Sequence, residues 1–119
     1  GSKGEQKIRD ILNKNGINFQ EQYTFLDLRP NNIPLRFDFA LFKNDAYQHN
    51  RILGRVALPR YFLFWRNRTF FKIEKNDELK RQYCLEHNIP LIEISYTHYN
   101  NLSLKDLLIE TSPFLTRGE

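Results

Sequence analysis

The residues of this chain that could do chemistry fall into two groups: a dense run of aromatic and basic side chains, and a few carboxylates set singly on regular elements. The run is LPRYFLFWRNRTFFK, Leu58 to Lys72, which holds the only tryptophan, Trp65, and five further aromatic residues. Aromatic faces stack on bases while guanidinium groups neutralise phosphates, so Tyr61, Phe64 and Trp65 with Arg60, Arg66, Arg68 and Lys72 form a candidate nucleic-acid surface. Arg51 and Arg55 extend it upstream. From Ala46 to Ile73 the net charge is +6, with no acidic residue, against +4 for the whole chain. The remainder is therefore slightly acidic, and the basic character is concentrated where it could face a polyanion. The competing reading takes Phe62, Phe64, Phe70 and Phe71 as core and the arginines as the wet faces of two strands.

The other polar groups give weaker patterns. Acid-any-lysine triplets occur at EQK (Glu5) and ELK (Glu78), but both fall on predicted helices, where they read as surface charge. Asp45, Gln48 and His49 in DAYQHN have the residue types of an acid with a Gln-His pair. His87 and His98, with the single Cys84, lack the spacing of a zinc site. There is no glycine-rich phosphate loop and no nucleophile paired with a recognisable base.

Several elements must position these groups. GEQKIRDILNKN, Gly4 to Asn15, places Ile8, Ile11 and Leu12 at helical spacing, with Ser2 as cap, Glu5 three residues on and Gly16 as stop. INFQEQYTF predicts a strand, and LDLRPNNIP a loop. LRFDFALF is the strongest strand, with Leu35, Phe37, Phe39 and Leu41 on one face and Arg36 and Asp38 on the other. AYQHNRILGRVAL and RYFLFWRNRTFF are expected as strands broken near Gly54 and Pro59. IEKNDELKRQYCLEHN is helical, with Ile73, Leu79, Tyr83 and Leu85 facing inward, and leads into the strand IPLIEISY. SLKDLLIE adds a short helix capped by Ser103. The order predicts an α/β domain, a mixed β-sheet flanked by helices.

At 119 residues with 40% hydrophobic content the chain is long enough for one self-sufficient core, and we expect a single domain over 1–119, with 46–72 as its atypical segment. Gly1 and Ser2 read as a cloning remnant. A lone cysteine and no long apolar run predict a reducing, cytoplasmic setting without a membrane.

Three fragments together carry a resemblance: SKGEQKI opening a helix, LRFDFALF as the second strand, and NDELKRQYCLEHNIPLIEISY as helix plus strand. They resemble the PD-(D/E)XK endonucleases of the very-short-patch-repair and phage homing type, over roughly 2–43 and 72–99. The resemblance implies a restriction-endonuclease-like core and Mg²⁺-dependent phosphodiester hydrolysis in a bacterial or phage-infected cell. It carries over to Asp38 as first metal ligand and Glu5 as second, both catalytic, because carboxylates suit a hard cation that activates water and screens the scissile phosphate. The family's next strand should end in an acid or a glutamine, followed by a lysine or by a glycine and then a Gln-His pair, and the middle of this chain has no such strand. Gln48 and His49 are the nearest substitutes. The same stretch can also be read as a translation in a shifted frame, since codons for LFWRNRT exist that yield FFGGTE one nucleotide on.

The expectation is a DNA-binding protein related to metal-dependent endonucleases, with Mg²⁺ as cofactor if the site is active. The alternative is a non-catalytic module that presents the same scaffold to a protein partner as an inhibitor or regulator.

Overall fold

The structure is a computed structural model that describes residues 3–54, 57–66, 75–109 and 116–117. Helix α1 (Lys3–Lys14) leads to strand β1 (Phe19–Tyr23), which is followed by β2 (Phe37–Leu41), helix α2 (Asn44–Leu53), β3 (Tyr61–Arg66), helix α3 (Lys75–Glu86), β4 (Leu91–Ser95), the short helix α4 (Leu104–Leu107) and the two-residue strand β5 (Thr116–Arg117). The strands form one mixed sheet in the order β1-β2-β3-β4-β5. β1, β2 and β3 are an antiparallel meander, and β4 and β5 continue it in parallel. This is the expected α/β sheet with flanking helices.

Helices cover both faces because both faces are apolar. On one face Ile8 and Leu12 of α1 and Leu107 of α4 pack with Phe39, Leu41, Tyr61, Leu63, Trp65, Ile92 and Ile94. On the other, Tyr83 and Cys84 of α3 pack with Phe37, Ala40, Phe42, Phe62, Phe64 and Leu91. β3 thus divides strictly by period two, odd residues to α1 and even residues to α3. Full burial of Ile8 and Leu12 contributes about 1.5–3 kcal/mol each, which is what fastens a 12-residue helix that would not persist alone. Gly16, at φ +66°, ends α1 in the left-handed turn that glycine adopts without strain.

Three expectations change, and one strand is new. AYQHNRIL is not a strand: α2 runs through it, because Ala46 and Tyr47 meet the core at helical spacing and buried Asn50 closes the next turn. The Asn50 side chain donates to the Ala57 carbonyl at 3.0 Å and accepts from the Ala57 amide at 2.9 Å. Leu85 faces outward and is 55% exposed. β5 had no signal in the sequence. Finally, β2 does not keep one apolar face: Phe37 joins the α3 side while Phe39 and Leu41 join the α1 side. The change of face falls at Asp38. The register of β1 with β2 passes over the opposed pair Gln22 and Asp38, and Gln22 takes a left-handed φ of +53°. Of the predicted segments, Gly1 and the expected cap Ser2, Arg55, Val56, residues 67–74, residues 110–115 and residues 118–119 lie outside the described residues.

Candidate functional site

Chain direction alone brings several elements to one edge of the sheet. β2 begins there with Phe37, while the parallel strands β3 and β4 end there with Arg66 and Ser95. In open α/β sheets, the carboxyl ends of parallel strands are where ligands usually meet the fold. The first turn of α1 arrives at the same edge, since Gly4 lies against Trp65 and the Lys7 ammonium donates to the Tyr99 carbonyl at 2.6 Å.

Asp38 is the centre of this edge. Its Oδ2 accepts the backbone N–H of Trp65 at 2.9 Å, so a side chain takes the place of a ladder acceptor between β2 and β3. Its carboxyl is pushed up to about 6, chiefly by burial; the Trp65 amide and the Lys80 ammonium pull it down, while the charge of Glu5 and a hydrogen bond with Glu5 push it up again. Asp38 and Glu5 therefore share one site although they stand 33 positions apart in sequence. The pair predicted as metal-binding is brought together, β2 contributing one carboxyl and α1 the other.

Lys80 of α3 completes the surroundings. It is buried, donates to the Arg36 carbonyl at 3.1 Å, sits 3.7 Å from Asp77, and lies over the Phe64 ring at 4.2 Å from the centroid. Sequence reasoning missed it, yet a signal was present: Lys80 precedes Tyr83 and Cys84 by three and four residues, the spacing of one buried helical stripe.

Trp65 is a core residue in contact with the site. It is 7% exposed, edge-on to Tyr99 with centroids 6.4 Å apart, and its buried indole N–H has no hydrogen-bond partner among the described residues. A Cβ on Gly4 would fall 2.0 Å from Trp65 Cε2, so the indole fits only because α1 presents glycine there. This burial removes Trp65 as a stacking platform. Tyr61 is removed on the same ground, being 4% exposed with its hydroxyl donating to the Leu107 carbonyl at 2.8 Å; burial pushes that hydroxyl up to about 12. Both were legible as β3 residues, but single-residue alternation cannot tell a wet face from a face covered by another helix.

The substitutes for the missing pair do not reach the site. Gln48 and His49 are exposed on α2, which begins beyond the far end of β2. Three steps along the strand, about 10 Å, carry the chain from Asp38 to Leu41 before α2 starts. Arg51, also on α2, and Arg60, just before β3, belong to that opposite end and are exposed. Arg66 closes β3 at the Asp38 edge, whereas Arg55, Arg68 and Lys72 lie outside the described residues. Of the predicted basic residues that are described, Arg51 and Arg60 therefore belong to one end of the sheet and the Arg66 position to the other.

Among the described residues no group of three or more His, Cys, Asp or Glu side chains converges, so Asp38 and Glu5 stand as a pair. Among them, too, no helix is long and apolar enough to cross a membrane. No family model, curated protein or solved structure matches this chain.

Proposed function

We propose that this chain binds duplex DNA on a scaffold of the PD-(D/E)XK type, with Asp38 and Glu5 meeting a divalent cation at a backbone phosphate. The observation that carries the reading is the convergence of these two carboxyls, from β2 and α1, at the edge where the parallel strands end. The mixed sheet with flanking helices also supports it, with α2 inserted between β2 and β3 as a departure from the expected order of elements.

The residues fit such a cation in kind. Mg²⁺ is commonly held by one or two carboxylates and completes its shell with water and phosphate oxygens, and a cation here would supply charge neutralisation at the phosphate. The chain's own part is to hold the donors ready. The Trp65 amide fixes Asp38 Oδ2. The raised Asp38 carboxyl retains a proton near pH 6, so protons compete with the cation below that pH. Lys80, held by Arg36 and Asp77, balances the charge of Asp38 from the α3 side.

Binding rather than cleavage is the proposed activity. Hydrolysis asks for a further acid or base beside the metal, and the β3 residue facing α1 at this point is the indole of Trp65. The test is DNA binding by anisotropy across a salt series, with and without Mg²⁺, in parallel with plasmid nicking. Wild type should bind with a steep salt dependence and tighten with Mg²⁺, Asp38→Asn should lose the Mg²⁺ increment, and neither should nick. Absence of binding at low salt rejects the reading, and metal-dependent nicking abolished by Asp38→Ala would instead make the protein a complete hydrolase.

A second reading, a non-catalytic protein-interaction module, draws on the exposure of Ile52, Leu53 and Leu58 at 79%, 60% and 57% around the end of α2. It is favoured if the purified protein shows no salt-sensitive DNA binding but forms a stoichiometric complex that Ile52→Asp abolishes.

A further inference from the structure

The connection from β1 to β2, residues 24–36, is held as firmly as a regular element. Phe25 packs its ring against Tyr23, Phe37, Phe62 and Tyr83, the last at a centroid distance of 4.6 Å. Leu28 and Leu35 are buried, and the Leu35 amide donates to the Leu28 carbonyl at 3.1 Å. The Tyr83 hydroxyl donates to Asp27 at 2.7 Å, and Arg29 donates to the Asn32 carbonyl at 3.3 Å.

From this frame two large apolar side chains are turned outward. Leu26 is 91% exposed, more than any other large apolar residue described, and Ile33 is 66% exposed. Single exposed leucines are ordinary on any protein. These two differ because their near neighbours in the same connection, Phe25, Leu28 and Leu35, are drawn into the core, so the backbone has sorted its apolar residues into anchors and projections. Between the projections Asn31 and Asn32 take successive left-handed conformations, φ +53° and +63°, a strained backbone of the sort kept at binding sites. The exposed cations of this stretch are Arg29 and Arg36, and its one carboxylate, Asp27, is engaged by Tyr83.

Position supplies the partner. The connection leaves and rejoins the sheet at the Tyr23–Phe37 pair, one residue from Asp38. We infer that residues 24–36 form a wedge for duplex DNA, with Leu26 and Ile33 entering a groove against a base step while Arg29 and Arg36 meet the flanking phosphates. Apolar side chains used in this way unstack a step and kink the duplex, and the guanidinium groups fix register on the backbone. The inference rests on the DNA-binding reading above.

The experiment measures end-to-end energy transfer in a short doubly labelled duplex, together with affinity and its salt slope. The proteins are wild type, Leu26→Ala with Ile33→Ala, and Arg29→Ala with Arg36→Ala. Wild type should shorten the end-to-end distance, as a kink of roughly 20–90° requires. The apolar variant should bind roughly ten-fold more weakly, from the loss of two buried side chains, with its salt slope kept and its bending lost. The basic variant should reduce the salt slope by about two. Leu26 and Ile33 are exposed, so an unchanged melting temperature separates these effects from misfolding. If wild type binds DNA without bending it, or if the apolar variant binds and bends as wild type does, the wedge is wrong while DNA binding stands. If wild type does not bind DNA, both proposals fall.

Discussion

Replacing Asp38 by asparagine should make the protein more stable at neutral pH, and by an amount that depends on pH. The carboxyl rises from 3.8 unfolded to about 6 folded, roughly two units. A raised carboxyl means the folded protein holds the proton more tightly than the unfolded chain. The stability this group supplies is thus fully present below about pH 3.8 and is lost as pH rises through about 6. At about 1.4 kcal/mol per unit, carrying Asp38 ionised costs on the order of 3 kcal/mol at pH 7.5. Asparagine is nearly isosteric, keeps an acceptor for the Trp65 amide and removes the charge facing Glu5. Urea unfolding of wild type and Asp38→Asn at about pH 3, 6 and 7.5 should give curves that differ little at the lowest pH. They should separate by roughly 2–3 kcal/mol in favour of the variant at the highest. Groups that titrate equally in both proteins cancel in the difference. A variant that is equally or less stable than wild type at all three values would show that Asp38 is not buried beside a second carboxyl, and the site geometry would be wrong. A retained, costly charge of this kind is what a functional site is expected to show.

Gly4→Ala drives a methyl group into the Trp65 indole, 2.0 Å from Cε2, and should destabilise the protein by several kcal/mol; thermal melts with Trp65→Leu as a second substitution should show most of that loss recovered. Tyr61→Phe removes the buried bond to the Leu107 carbonyl and should cost about 1–2 kcal/mol in urea unfolding with no effect on DNA affinity. Asp106 accepts the Ser103 amide at 2.9 Å and lies 3.0 Å from His98 Nε2, bonds that hold its carboxyl below the ordinary range despite the opposing effect of burial. The stability it supplies is present above pH 3.8 and is lost as the pH falls below that value. Asp106→Ala should accordingly cost about 1–2 kcal/mol at pH 7 and less at pH 3, read from the same unfolding curves.

Much of the fold was legible because its elements carry strong periodic patterns. Ile8, Ile11 and Leu12 announced α1, Phe37 to Leu41 announced β2, and the alternation of LIEIS announced β4. The middle of the chain was not legible because its patterns are short and ambiguous. NDAYQHNRIL buries little beyond Asn50, so no apolar stripe marks it as helix, and helix or strand is decided by what Asn50 and Tyr47 meet in three dimensions. In YFLFWR every position is apolar or aromatic before the final arginine, which is what a strand buried on both faces looks like. The same composition had suggested an exposed stacking surface. Asp38 and Glu5 were legible as a pair only through the resemblance, since no spacing in sequence states that α1 and β2 meet.

The position of Trp65 links these observations. Its amide satisfies Asp38, its ring fills the space above Gly4, and its edge meets Tyr99, whose carbonyl holds Lys7. One β3 residue thereby fixes a carboxyl of β2, the entry of α1 and the segment after β4. A small residue there would open a cavity beside Gly4 and loosen the entry of α1. A third carboxylate there would add charge to a pair that already raises Asp38. The indole packs the edge with apolar surface, and its own N–H has no partner among the described residues. That arrangement favours a stable, preformed pair of carboxyls over a third acidic group at this edge.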